Sequence, residues 1–230
     1  MTEKIVVKDR DIVVPGELLA EGMSYIPGGK AFRDDQKIYA SSVGLVSVRG
    51  RVVKVIPLSG RYMPKRGDVV VGKITGIGNS GWAVDIFTPY NADLNIGEAT
   101  QAYIDLRKTD LSSVFDIGDY LLAEIINVTE SGFVKLSAKK HRMYGKLKGG
   151  NLVNVSPTKI PRIIGKEGSM ISMLKKSTGC EVLVGQNGLV WMKGEPEKQA
   201  LVAKVIKKIN DESHKTGLTD EIKKMLEKGG

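Results

Sequence analysis

The chain has 230 residues, 41% of them apolar and 27% charged, with a formal net charge of +9. That supplies apolar material for buried cores in two or three small domains, and it excludes a disordered chain. One cysteine, Cys180, excludes a disulfide framework and a cysteine-based zinc site, and no apolar run is long enough for a signal peptide or a membrane span. The expectation is a soluble cytoplasmic protein with no membrane partner, whose basic character favours a polyanion.

Residues 1–64 hold 10 basic and 7 acidic residues and read as short strands separated by turns. "DIVVPGELL" sets Pro15-Gly16 as a turn behind a β-branched run, "IPGGKAF" reads as another turn, and "VGLVSVRGRVVKVIPL" alternates as half-buried strands do. This predicts a small N-terminal β domain whose short strands need a neighbour or partner. Residues 65–145, with 9 basic and 10 acidic residues, contain "KRGDVVVGKITGIGNSGWAVDIF", two strands around a Gly/Asn turn with Trp82, Val84 and Ile86 on one face. "GDYLLAEIINVTESGFVKLSAKK" repeats that design, and five such strands closing on themselves predict an OB-type barrel.

Residues 146–230 carry 16 basic and 9 acidic residues and change character. "NLVNVSP" reads as a strand, "TKIPRII" as a short helix, and "SMISMLKKSTG" as a helix with Met170, Ile171 and Leu174 near one face and Gly179 as its stop. "EVLVGQ" and "LVWMKG" flank an Asn187-Gly188 hairpin turn, and "EPEKQALVAKVIKKIND" is a helix with a Leu201, Val205, Ile209 stripe. "TDEIKKMLEKGG" is either a short helix capped by Thr219 or a frayed tail. The fold class is therefore mostly β and multidomain with an α+β C-terminal part, divided at 1–64, 65–145 and 146–230.

Several chemistries can be weighed on these residues. Gly76, Gly78 and Gly81 spell a dinucleotide fingerprint, but "WAVDIF" follows as a strand where that site requires a helix, so no cofactor is expected. His141 and His214 stand apart, beside basic residues, without metal-ligand spacing, and read as solvated surface residues; no metal site is assigned. Asp105, Asp110, Asp116 and Asp119 fall where aspartate commonly caps and turns, although a carboxylate metal-dependent nuclease stays open as an alternative. "RIIGKEGSMI" is the sharper motif. A turn of Gly165, Lys166, Glu167 and Gly168 between two helices, inside the order β-α-α-β-β-α, is that of a KH domain, where glycines let nucleic acid approach the backbone and a helix N-terminus favours phosphate. Arg162, Lys166, Lys175 and Lys176 would supply charge, Ile164, Ile171 and Val182 a groove wall, and Glu167 would limit affinity by repelling phosphate.

These three segments also resemble known modules. "GDVVVGKITGI", "GWAVDI", "GDYLLAEIINV" and "GFVKLSAKK" follow the RNA-binding module of ribosomal protein S-one, the last segment resembles a KH domain, and "VVPGELLAEG" resembles the N-terminal domain of exosome cap subunits. In this order they cover essentially the whole chain, which is similar to the KH-bearing cap subunit of the archaeal exosome, the ribosomal-RNA-processing protein four family. The resemblance implies a non-catalytic subunit: three cap subunits on a hexameric ring of phosphorolytic subunits, guiding RNA 3′ ends, A-rich tails favoured, into a central channel for degradation and processing. It implies a ring-docking N-terminal domain, S-one domains around the pore and KH domains outward. A free-standing RNA-binding factor for transcription or translation remains the second alternative. The chain departs from many S-one domains at Ser80, Ala83 and Asn95, where base-stacking aromatics and a histidine would stand; Trp82, one residue out of phase, should point inward. Guidance by Lys65, Arg66, Arg107 and Lys108 is the remaining electrostatic route.

Overall fold

The computed structural model describes residues 3–101, 110–213 and 217–228. It divides into two compact units, Met1–Gly60 and Arg61–Gly230. In the first, β1 (Lys4–Ile5), β3 (Leu18–Glu21), β6 (Lys37–Ala40) and β5 (Ala31–Asp34) form one sheet in the order β1-β3-β6-β5. A second sheet has the order β2-β7-β8-β4, from β2 (Ile12–Val13), β7 (Gly44–Arg49), β8 (Val52–Pro57) and β4 (Ile26–Gly29). The alternation read in "VGLVSVRGRVVKVIPL" is the β7–β8 hairpin, whose Val46, Val53 and Val55 join Val13, Leu19 and Ile38 in the core. "IPGG", expected as a turn, is instead strand β4, paired parallel to β8. Its Gly29 sits at φ 62, and a Cβ there would run into the Val55 carbonyl, so the glycine serves close backbone approach.

The second unit begins with a barrel built of β9 (Val69–Gly78), β10 (Gly81–Asp85), β11 (Ala92–Asn95), β12 (Tyr120–Val128), β13 (Val134–Ser137) and β14 (Gly145–Leu147). The order is β13-β11-β10-β9-β12-β14, and an additional β12–β13 pairing closes five strands into an OB-like barrel that β14 extends. Trp82, Val84 and Ile86 all point into its core, as the period of two required. The indole N–H of Trp82 donates to the Phe115 carbonyl at 2.9 Å, and its ring meets Phe115 edge-on at 5.3 Å. Gly81, φ 156, lies against the Leu94 carbonyl, which leaves no room for a Cβ; the strand that follows it rules out the dinucleotide reading of this glycine cluster.

The C-terminal part adds β15 (Asn151–Asn154), β16 (Glu181–Val184) and β17 (Leu189–Lys193) in the sheet order β15-β17-β16. Short helices α1 (Ile96–Ala99) and α2 (Leu111–Val114) belong to the barrel; α3 (Ile160–Ile164), α4 (Ser169–Thr178), α5 (Pro196–Glu212) and α6 (Leu218–Lys228) belong to the KH part. Gly179, φ 68, ends α4 by donating its N–H to the Lys175 carbonyl, the glycine stop expected. Two expectations are corrected. The α5 stripe is Val202, Val205, Ile206 and Ile209, with Leu201 only partly buried, because α5 packs against α3, α4 and α6 as well as β17. The last segment is no frayed tail: Leu218, Ile222 and Leu226 are buried in the KH core, and the helix starts before Thr219, with the Asp220 N–H donating to the Gly217 carbonyl.

β17 explains why barrel and KH part form one unit. Its residues Leu189, Val190, Trp191 and Met192 are all buried, so both sheet faces are covered. Val190 and Met192 face the KH helices, whereas Leu189 and Trp191, with Leu183 of β16, pack on Val71 and Leu122 of the barrel. The hairpin tip completes the joint. Asn187, 5% exposed, donates to the carbonyls of Val71 (2.8 Å) and Ile86 (2.9 Å) and accepts from the Val71 N–H (3.2 Å). Gln186 clasps Val69, its Oε1 accepting from the Val69 N–H and its own N–H donating to the Val69 carbonyl, both at 2.7 Å. Read from the sequence as a turn residue, Asn187 is the polar anchor between two modules.

Candidate nucleic-acid interface

The turn between α3 and α4 is assembled from backbone constraints. Gly165 (φ 77, ψ 174) donates its N–H to the Pro161 carbonyl, ending α3, and a Cβ on it would come within 2.8 Å of both Cβ and N of Met170, which is buried. A Cβ on Gly168 (φ 77) would meet only the Ile171 methyl, at 3.8 Å, so the demand for glycine there is conformational rather than steric. Between them Glu167 takes a left-handed conformation (φ 52, ψ 29), which costs a non-glycine residue about 1–2 kcal/mol. Lys166 and Glu167 stand exposed at the tip. No side chain caps α4 at Gly168; the Ser169 N–H donates to the Lys166 carbonyl, and the next first-turn N–H groups have no side-chain cap.

Around this turn the expected residues separate. Arg162 is exposed on α3, and Ile164 and Ile171 are half-buried beside the turn. Ile171 and Lys175 stand at i, i+4 on one side of α4, whereas Lys176 lies about 100° further round the helix and away from its buried stripe. Val182, expected in a groove wall, is 1% exposed and belongs to the KH core, because its side of the sheet faces the helices. The geometry thus joins Ile164, Gly165, Lys166, Glu167, Gly168 and Ile171 at the turn, sets Arg162 one helical turn before it and Lys175 further along the Ile171 side of α4, and leaves Lys176 apart.

On the barrel, Lys65 and Arg66 are exposed on a segment fixed by its neighbours. The Tyr62 hydroxyl donates to Asp68 Oδ2 at 2.6 Å, and the Gly67 N–H donates to the Ile125 carbonyl at 2.8 Å. Burial, then the Asp68 hydrogen bond and charge, push the Tyr62 phenol far above its ordinary range, so it stays a donor at any working pH. Arg107 and Lys108, with Asp105 and His214, lie outside the described residues.

The OB face is a hollow of about 610 Å³. Ser80, Ala83 and Asn95 line it as read, and Asn95 proves to be the N-cap of α1, its Oδ1 accepting from the Gly97 N–H at 3.1 Å. Sequence reading missed Phe133, a half-buried aromatic in that lining; the signal was an aromatic directly after the Glu-Ser-Gly turn, where β13 starts beside β11. The loop carboxylates are occupied structurally. Asp110 caps α2 through the Ser112 N–H (3.1 Å), Asp116 accepts from the Ile117 N–H (2.8 Å), and Asp119 accepts from the Asp116 N–H (2.7 Å) while pairing with Lys146. Among the described residues no three of His, Cys, Asp or Glu converge as a metal-binding group.

Comparison with known proteins agrees with this architecture in the same order. A family model described as the exosome RNA-binding protein RRP4 N-terminal domain matches residues 10–59, one described as the RRP4 S1 domain matches 61–127, and one for the KH domain matches 150–198. Exosome complex component Rrp4 of Methanothermobacter thermautotrophicus is 47% identical over 97% of this chain and 70% of its own length. Those of Methanothermus fervidus (47%, 96% of each chain) and Thermococcus kodakarensis (46%, 97% of this chain and 88% of its own) are similar throughout. A crystal structure of a candidate exosome complex RNA-binding protein superposes with a TM-score of 0.66 at 31% identity, covering 74% of this chain and 97% of that one. With identities of this size over almost its whole length, and with an N-terminal β domain, an OB-like barrel and a KH domain in that order, the chain belongs to the Rrp4 family of exosome RNA-binding proteins.

Proposed function

We propose that the chain is a non-catalytic RNA-binding cap subunit of an archaeal-type exosome, recruiting RNA 3′ ends and threading them into a separate phosphorolytic 3′–5′ exoribonuclease ring in the cytoplasm. Three such caps, alone or mixed with another cap protein, sit on a hexameric ring, with A-rich tails favoured. The observation that carries this reading is the ordered triple of modules shared with relatives named exosome complex component Rrp4 over at least 96% of the chain.

The geometry adds physical support. Lys166 and Arg162 beside an uncapped helix start suit a phosphate backbone, and the outward Glu167 keeps that grip weak, as a threading subunit requires. The N-terminal unit is the docking module in this reading. It carries nine of the fourteen large apolar side chains exposed among the described residues. Register places Ile12, Leu45 and Ile56 in one row and Ile26 and Val52 in another on the outer face of its β2-β7-β8-β4 sheet. The row of Gly28, Lys54 and Ser47 lies between them on that face, so the sheet offers two apolar strips flanking a lysine, a mixed surface suited to an interaction partner. No described helix is long and apolar enough to cross a membrane.

The test is decay of a 5′-labelled, A-tailed RNA in phosphate buffer with this chain, the ring, and both together. The expected result is no decay by the chain alone and faster, more processive decay in combination. Decay by the chain alone would return the nuclease reading, and an unchanged rate in combination would return the free-standing factor.

A further inference from the structure

The barrel carries two hollows of opposite chemistry. The OB face, where such folds usually hold oligonucleotides, is lined by Asp93 and Glu98 with Lys135 as its one cation among the described residues. The other hollow, of about 520 Å³, lies between α2 and the connector from β13 to β14. His141, Arg142, Tyr144, Lys146 and Lys148 line it, and no described acidic residue does.

The connector is fixed in place. The Tyr144 N–H donates to the His141 carbonyl at 3.0 Å, the Met143 N–H donates to His141 Nδ1 at 3.2 Å, and the two rings lie 5.5 Å apart at 45°. Tyr144 is half-buried and packs on both the barrel core and the barrel–KH cluster, so the ring pair rests on a rigid base. The nearby lysines are mostly neutralised: Lys139 by Glu98, Lys140 by Glu124 and Lys146 by Asp119. Arg142 and Lys148 are exposed and have no ion-pair partner among the described residues. Unpaired cations beside an aromatic pair are what a single strand needs, since phosphates take the charge and any base can stack. A phosphate on the OB face would instead meet the Asp93 carboxylate, with Glu98 there already paired to Lys139.

We propose that this cleft, rather than the OB face, is where the barrel holds single-stranded RNA, with phosphates on Arg142 and Lys148 and a base against the His141–Tyr144 pair. The inference rests on the RNA-binding reading above and adds the site. It also assigns a role to His141, which the sequence presented only as a surface residue.

The experiment measures binding of a labelled oligoadenylate to the full chain across a salt series, with Arg142→Gln/Lys148→Gln, His141→Ala and, on the OB face, Lys135→Gln. The double variant should weaken binding at least about tenfold at low salt and flatten the slope of log K against log salt by about 1.4, two phosphates at about 0.7 each for a single strand. His141→Ala should lose about fivefold or more, the low end of one stacked base, and Lys135→Gln should match the parent chain. Photocrosslinks of the oligoadenylate to the barrel of the unaltered chain should fall within residues 141–148, apart from any at the α3–α4 turn, a readout independent of how any variant folds. Loss confined to Lys135→Gln, or crosslinks on the OB face, would overturn the proposal while leaving RNA binding intact. Failure of the unaltered chain to bind would overturn the RNA reading and this site together.

Discussion

Two loops of the KH part share one spacing, Gly165-Lys166-Glu167-Gly168 and Gly185-Gln186-Asn187-Gly188, and have opposite fates. The first stands in solvent with both central side chains exposed; the second is pressed onto the barrel with Asn187 buried and bonded to Val71 of β9 and to Ile86 just past β10. The difference lies in the central pair. Charged Lys166 and Glu167 lose strong hydration if buried unpaired, whereas primary amides carry both donor and acceptor and can complete a strand edge. The glycines serve each fate differently too: Gly165 makes room for Met170, and Gly185 makes room for the Val71 N–H, 2.8 Å from where its Cβ would stand. A hairpin loop that holds the barrel in this way is occupied, which leaves the α3–α4 turn as the exposed one of the two and the nucleic-acid jaw in the function proposed above.

The largest effect should come from breaking the buried loop. Asn187→Ala strands the Val71 N–H and two carbonyls, and at about 1–3 kcal/mol for each buried unsatisfied group the loss should reach about 3 kcal/mol or more. Chemical denaturation should show a lower midpoint, with a second transition where barrel and KH part come apart. Next, the two glycines of the exposed turn should separate. Gly165→Ala meets both a backbone penalty of about 1–3 kcal/mol, for a positive φ with extended ψ that only glycine readily adopts, and overpacking of about 1–3 kcal/mol against Met170. Gly168→Ala meets only the left-handed penalty of about 1–2 kcal/mol. Gly168→Asp is therefore the better probe of RNA contact: thermal melting should show a modest shift and titration an affinity loss of about an order of magnitude.

Smaller effects sharpen the comparison. Glu167→Gly should relieve the left-handed strain and remove a carboxylate from the phosphate path, raising RNA affinity several-fold and stability by about 1 kcal/mol. The same change at Gln186 should only destabilise, because its Oε1 accepts from Val69. The smallest effect concerns acid. Partial burial works against the Asp119 carboxylate, but Lys146 and the Asp116 N–H hold its pKa below the ordinary range. A depressed carboxylate stabilises above its unfolded pKa, and that contribution is lost as pH falls through the folded one. Stability should therefore decline below about pH 4, and Asp119→Asn should remove under about 1 kcal/mol of that dependence in melts across pH.

Much of this was legible because it is local. The period of two placed Trp82, Val84 and Ile86 inward, the glycine at 179 ended α4, and the spacing around Lys166 and Glu167 marked a turn that is indeed exposed. Readings failed where a second element decided the outcome. Val182 looked available for a groove until the helices were packed over its face, and "IPGG" looked like a turn until β8 ran alongside it. The continuous run "LVWMK" did hold a signal, since a strand without alternation is buried on both faces, but the sequence could not say by what.

By itself, then, the sequence determined the three modules, their order and the exposed charged turn, because strand period, helix stops and glycine turns are set by interactions within a few residues. Only the tertiary structure decided that Asn187 and Trp191 lock the KH sheet to the barrel, that α6 completes the KH core, and that Arg142 and Lys148 share a cleft with His141 and Tyr144. Each depends on which surfaces meet across long stretches of chain, and complementarity of that kind leaves no periodic trace in the sequence of either partner.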